Sequence, residues 1–173
     1  MGLIPILFEA DWLTPAQAGY LGAANLLGYL LGALTAHKLA ERYGNVTIIR
    51  INLVLSALSF FACALPFGLE WLTIWRLLAG VTGAQLMVIA APAILSKVAK
   101  KDKGRVSGLI FSGIGVGIIF SGLVLPQLTL LGIEETWAIL GLICTALALV
   151  SWHPWPRANE HPLNRKTTSK AQR

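Results

Sequence analysis

Charge is what this chain has least of. Asp, Glu, Lys and Arg make up 13% of its 173 residues, and five runs (13–36, 51–69, 77–96, 106–133 and 136–156) contain none of them. A soluble domain of this size needs a polar exterior that such a composition cannot supply. The alternating ten-residue segments of a membrane β-barrel are absent too. The two cysteines, Cys63 and Cys144, each fall inside a charge-free run with no CxxC spacing. They read as small buried hydrophobes and say little about redox compartment. His37, His153 and His161 are too scattered for a metal-ligand set. No G-x-S-x-G elbow or Ser/His constellation suggests an enzyme. The Gly-rich stretches lie within apolar runs, not in the strand-to-helix loop of a nucleotide cradle. Neither catalysis, a metal nor a cofactor is expected.

What is present is hydrocarbon. Mean hydropathy is +0.68, and each run can supply about 17–25 predominantly apolar residues, enough for an α-helix to cross ~30 Å of bilayer core. The fold class expected is therefore all-α, a polytopic membrane helical bundle. Five complete spans are placed at about 16–36, 46–65, 71–95, 106–125 and 136–152, making residues 1–156 the transmembrane domain. Thr14-Pro15 supplies an N-cap and a first-turn proline for the first span. His37–Arg50 is expected as a loop, Pro66-Phe67-Gly68 as a turn, and Trp71 and Trp75 as interfacial aromatics. Residues 1–9 resemble the last turns of a partial first helix. Without a basic n-region, they do not make a signal peptide. Residues 157–173 are basic, lack apolar periodicity, and are expected to be a disordered cytoplasmic tail.

The sparse charges alternate. Lys38, Arg42 and Arg50 form one basic cluster, Lys97 to Arg105 a second, and Arg157 to Arg173 a third, whereas Glu9/Asp11, Glu70 and Glu134/Glu135 are acidic breaks. Positive-inside then places the basic loops and the C-terminal tail in the cytoplasm and the lead outside. The net charge of +6 would suggest nucleic acid in a soluble protein. Here orientation and lipid headgroups account for it, and no nucleic-acid partner is expected.

Arg76 is the one basic residue inside an apolar stretch. A guanidinium in hydrocarbon costs about 2.5–3.5 kcal/mol on insertion scales, so it calls for a cavity, a partner or a path to the interface. It is a substrate or proton-linked candidate, an interfacial anchor, or half of a structural pair. Asn25 and Gln85 lie near mid-span, suited either to substrate contact or to interhelical hydrogen bonds. Gly28-x-x-x-Gly32 and Gly113-x-x-x-Gly117 have the spacing of close helix contacts. Gly80 and Gly83 share a face with Arg76 and Met87, either for packing or as a smooth cavity wall. Pro92 is expected to bend its helix.

The segment His37-Lys38-Leu39-Ala40-Glu41-Arg42-Tyr43-Gly44 resembles the G-x-L-a-D-r-x-G loop between the second and third helices of the major facilitator superfamily. Leu39, Ala40, Arg42 and Gly44 match; Glu41 replaces Asp, and His37 replaces the first Gly. Arg76-Leu77-Leu78-Ala79-Gly80 to Gly83 is similar to an R-x-x-x-G-x-x-G element of the family's fourth helix. The Gly-Pro pair of its fifth helix is not reproduced in Ser112–Gly117. Residues 16–32 resemble especially the YbfB/YjiJ-type subgroup.

This resemblance implies the N-terminal half of a secondary active transporter that moves a small solute by alternating access. Residues 39–44 would be a gating loop, with Glu41 and Arg42 making interhelical charge contacts. The setting implied is the cell membrane, with a bacterial inner membrane as the natural case. Five complete spans would leave the chain a fragment needing a second half-transporter or a homodimer. The alternative is a non-transporting or degenerate membrane fragment, or an assembly partner of another membrane protein.

Overall fold

The computed structural model describes residues 14–65 and 67–152. The expected partial first helix and basic tail lie outside the described residues. Five α-helices follow one another: α1 (Pro15–Tyr43), α2 (Asn45–Cys63), α3 (Leu69–Leu95), α4 (Lys103–Leu128) and α5 (Ile133–Val150). Short 3-10 turns, Lys100–Asp102 and Thr129–Leu131, flank α4. No strand occurs among the described residues, and the chain is an all-α helical bundle. Four helices, α1 to α4, are long and apolar enough to cross a membrane by length and composition. The fifth, α5, is 18 residues long and carries Glu134 and Glu135 in its first turn.

The start of α1 follows from its sequence. Thr14 accepts a hydrogen bond from the Gln17 backbone N–H at 3.3 Å, and the Thr14 N–H donates to Gln17 Oε1 at 2.9 Å. This reciprocal box satisfies two backbone groups that a helix end otherwise leaves open, and Pro15 costs no hydrogen bond there.

The other end departs from expectation. His37–Arg50 is not a loop: α1 continues through Tyr43, and α2 begins at Asn45. Lys38, Leu39, Ala40, Glu41 and Arg42 are all good helix formers, so nothing before Gly44 stops the helix. Gly44 alone makes the joint, at φ +84°, a region that residues with a Cβ rarely adopt. Its N–H caps the Ala40 carbonyl at 2.9 Å, and its own carbonyl accepts from Ile48 at 3.2 Å. At 29 residues, α1 is about 43 Å long, so its last turns extend beyond ~30 Å of hydrocarbon.

Two small cores hold α1, α2, α3 and α5 together. One gathers Leu21, Cys63, Leu72 and Trp137. The other gathers Ala36, Ile48, Ile49 and Ile89, with Leu39 and Ala40 against it. Helices α1 and α3 run parallel and meet backbone to backbone. A Cβ added to Gly28 would land on the Leu77 carbonyl, one on Gly32 would strike Val81, and one on Gly80 would strike the Asn25 carbonyl. Such approach lets dispersion act between whole backbones where no hydrophobic effect drives association.

Helix α4 differs: none of its residues is buried. Gly113 and Gly117 have nothing within 4 Å of where a Cβ would stand, and the same holds for Gly83. The close contacts expected at these three glycines are therefore not made among the described residues. In α3, Gly83 is turned away from α1, whereas α4 offers its glycines to no neighbouring helix among the described residues.

Candidate functional site

Arg76 projects from α3 toward α5. Its guanidinium carbon lies 4.9 Å from the centroid of the Trp137 ring. Trp137 itself is 2% exposed and sits in the first core, beside Phe60 of α2 at 6.1 Å between ring centroids. A desolvated stack of this kind contributes about 2 kcal/mol, comparable to the cost of placing the cation there. The sole ion pair among the described residues is His37–Glu41, at 3.2 Å on the exposed end of α1. Arg76 thus has an aromatic partner and, among the described residues, no acidic one. Cys63 shares the core under Trp137.

A second Arg–Trp stack ties the other end of α5. Arg50, expected in a loop, is instead on α2, half-buried, with its guanidinium 5.2 Å from the Trp152 ring centroid. Its Nη2 also donates to the Trp152 carbonyl at 3.1 Å.

Gln85 is buried, with both ends of its amide hydrogen-bonded. Its Oε1 accepts from Asn52 Nδ2 at 3.0 Å, and its Nε2 donates to Thr35 Oγ1 at 3.2 Å. The Thr35 hydroxyl in turn donates to the Leu31 carbonyl at 2.8 Å. One amide therefore links α1, α2 and α3. Three residues earlier on α3, Thr82 accepts from Ser56 of α2 at 3.0 Å. Asn52, Thr82 and Gln85 border a groove of ≈ 320 Å³ whose other walls are apolar, including Leu55, Leu78 and Val81.

Asn25 is half-buried, and its side chain has no hydrogen-bond partner among the described residues. Its backbone carbonyl is what faces Gly80. The structure does not bring Asn25, Arg76 and Gln85 into one polar cluster: Arg76 lies in the Trp137 core, and Gln85 in the three-helix network. Met87 is used from outside the site, its sulfur accepting from the Tyr29 hydroxyl at 3.0 Å.

The expected gating motif divides by face. Leu39 and Ala40 pack inward, whereas Glu41 and Arg42 are exposed. The interhelical charge contacts expected of Glu41 and Arg42 are not made among the described residues. Glu41 reaches one turn back to His37, and Arg42 lies 5.5 Å from the ring centroid of its neighbour Tyr43. Both stay on α1 because the helix has not yet turned.

Sequence reasoning missed Trp137, Asn52, Ser56, Thr82 and Thr35. Asn52, Ser56 and Ser59 fall at i, i+4 and i+7 in an apolar run, a polar stripe on one face of α2. That stripe was a usable signal. The Arg76–Trp137 stack had none, because 61 positions separate two residues with no spacing rule between them. Trp71, expected at an interface, also serves the fold: its indole N–H donates to the Ala62 carbonyl at 2.8 Å near the end of α2.

Comparison with known proteins places this bundle. Residues 2–173 match the family described as "Uncharacterised MFS-type transporter YbfB". The niacin transporter NiaP of Acinetobacter baylyi is 30% identical over 115 residues, covering 66% of this chain and 26% of NiaP. The 4-hydroxybenzoate transporter PcaK of Pseudomonas aeruginosa is 28% identical over 152 residues, 87% of this chain and 34% of PcaK. The putative metabolite transport protein YncC of Bacillus subtilis is 28% identical over 170 residues, 93% of this chain and 35% of YncC. The chain thus spans between a quarter and about a third of these relatives, in their N-terminal part. It is a multi-pass membrane protein of the transporter class, and it belongs to the YbfB-type family of the major facilitator superfamily.

Proposed function

We propose that this chain supplies one half of a secondary active transporter that moves a small solute by alternating access. Family membership over residues 2–173, with a span of about a third of full-length relatives, carries the reading. The unburied α4 is in keeping with it, since Gly113 and Gly117 present a smooth backbone on which a second half can close. That half is another polypeptide, a second copy of this chain, or a further part of the same gene product. The solute site lies near the midplane where the halves meet. Arg76 and Asn25 are its candidate contacts from this side, and the Gln85 network holds α1, α2 and α3 in register behind them. The exposed Glu41 and Arg42 are free to form charge contacts across the halves.

The chain sits in a bacterial inner membrane with its basic loops and C-terminal tail cytoplasmic. Residues 1–156 form the transmembrane domain, with a partial first helix at about 1–9, and residues 157–173 are a basic tail. Uptake into proteoliposomes tests the functional claim, using the solutes named for relatives: niacin and 4-hydroxybenzoate. Saturable flux, with this chain alone or with a complementary half, is the expected result. Flux indistinguishable from protein-free vesicles under both conditions would leave the chain a non-transporting membrane component.

A further inference from the structure

Among the described residues, the core around Arg76 has several strong donors and no strong acceptor. Arg76 brings five N–H groups and, among the described residues, gives none of them to a carbonyl, hydroxyl or carboxylate. The indole N–H groups of Trp75 and Trp137 are buried and equally unpaired. Both indoles belong to the one cluster, whose remaining members are Leu, Phe, Ala and Cys side chains. A few buried unpaired groups occur in any protein, but two buried indoles beside a half-buried cation make a local excess of donors that calls for an acceptor.

The nearest acid in sequence does not supply it. Glu70 precedes Arg76 by six residues, about 240° round a helix of 3.6 residues per turn. It instead borders a separate cleft with Gln17 and Thr73. Trp137 covers one face of the guanidinium, but Arg76 is only half-buried, so its donor edge is open to approach.

We infer that Arg76, backed by Trp137, is a binding site for the carboxylate of an organic anion. The inference rests on the transporter reading and names the chemical class of its solute. A planar guanidinium matches a carboxylate with two parallel hydrogen bonds. The neutral pair that results removes the cost of an isolated charge in hydrocarbon. The apolar side chains of the same core, Leu72, Leu140 and Phe60 among them, favour an anion with a single polar end over inorganic phosphate or sulfate. A carboxylate has one polar end, and the body behind it meets apolar and aromatic walls. An oxyanion could also arrive as a lipid headgroup, so the test separates the two sources.

The full chain, purified in a phosphate-free maltoside detergent, is titrated by calorimetry at neutral pH with benzoate and with its neutral isostere benzamide. Benzoate should bind saturably, and benzamide at least tenfold more weakly. Arg76→Gln should abolish benzoate binding. Arg76→Lys, which keeps the charge and loses the fork, should weaken it about tenfold; it also serves if the Gln variant fails to fold by size exclusion. Phosphatidylglycerol added to the micelles should not displace benzoate. Absence of benzoate binding, equal binding of benzamide, undiminished binding to a folded Arg76→Gln protein, or displacement by phosphatidylglycerol would each overturn the inference. Carboxylate binding without flux would defeat the transporter reading alone, and flux without carboxylate preference would defeat this inference alone.

Discussion

Arg76 of α3 lies 4.9 Å over the ring of Trp137 of α5, so this cation is paired with a π-face and, among the described residues, not with a carboxylate. The stack contributes about 2 kcal/mol when desolvated, and insertion of the cation costs about 2.5–3.5 kcal/mol. The two nearly cancel. Arg76→Met should therefore change the stability of the purified chain by no more than about 1.5 kcal/mol in reversible detergent unfolding. A loss above 3 kcal/mol would mean that Arg76 closes a buried ion pair, whose breakage costs about that much or more.

The glycines of the α1–α3 contact should respond very differently from the open ones. An alanine methyl at Gly28 or Gly80 would enter the opposing backbone, which cannot swing aside as a side chain can. Gly28→Ala and Gly80→Ala should each destabilise by about 1–3 kcal/mol, the usual cost of overpacking. Gly83→Ala meets nothing within 4 Å and should stay within about 0.5 kcal/mol. Thermal unfolding of the three variants in one detergent checks the contrast.

Asn52 and Gln85 should be coupled, but weakly. Hydrogen bonds between membrane helices average about 0.6 kcal/mol and reach about 1.7 kcal/mol in double-mutant cycles. The cycle built from Asn52→Leu and Gln85→Leu should fall in that range. A coupling near zero would show that the 3.0 Å bond between them contributes nothing in the membrane-solvated protein.

Gly44 is the only residue between α1 and α2, and it stands at φ +84°. Gly44→Ala should cost about 1–3 kcal/mol from backbone strain alone, since φ +84° with ψ 144° is open essentially only to glycine and no neighbour lies within 4 Å of the added methyl. Gly44→Asn should lose a similar amount, because asparagine tolerates the αL region well but not a positive φ combined with ψ 144°. Equal stability of all three proteins would show that the joint is flexible.

Much of the architecture was legible because membrane spans are written in composition. Five charge-free runs mark the helices, and Thr14-Pro15 marks where α1 starts. The extension of α1 to Tyr43 was not legible from charge, since polar residues with good helix propensity look like a loop when hydrophobicity is the guide. Gly28, Gly32 and Gly80 could be named from spacing, but spacing could not separate them from Gly83, Gly113 and Gly117. The difference lies in which helix faces which. Arg76 announced itself as a charge in an apolar run, yet its partner Trp137 did not, because tryptophan in a membrane helix needs no explanation. Gln85 could have been substrate contact or structure, and only the placement of Asn52 and Thr35 showed both ends of its amide in use.

The account stands most directly on solute flux through a protein that contains this half. Proteoliposomes carrying the chain with a complementary half should take up a carboxylate solute saturably. Arg76→Gln, inserted to the same level, should reduce that uptake at least tenfold. Uptake no greater than in protein-free vesicles, or uptake left unchanged by Arg76→Gln, would contradict the account.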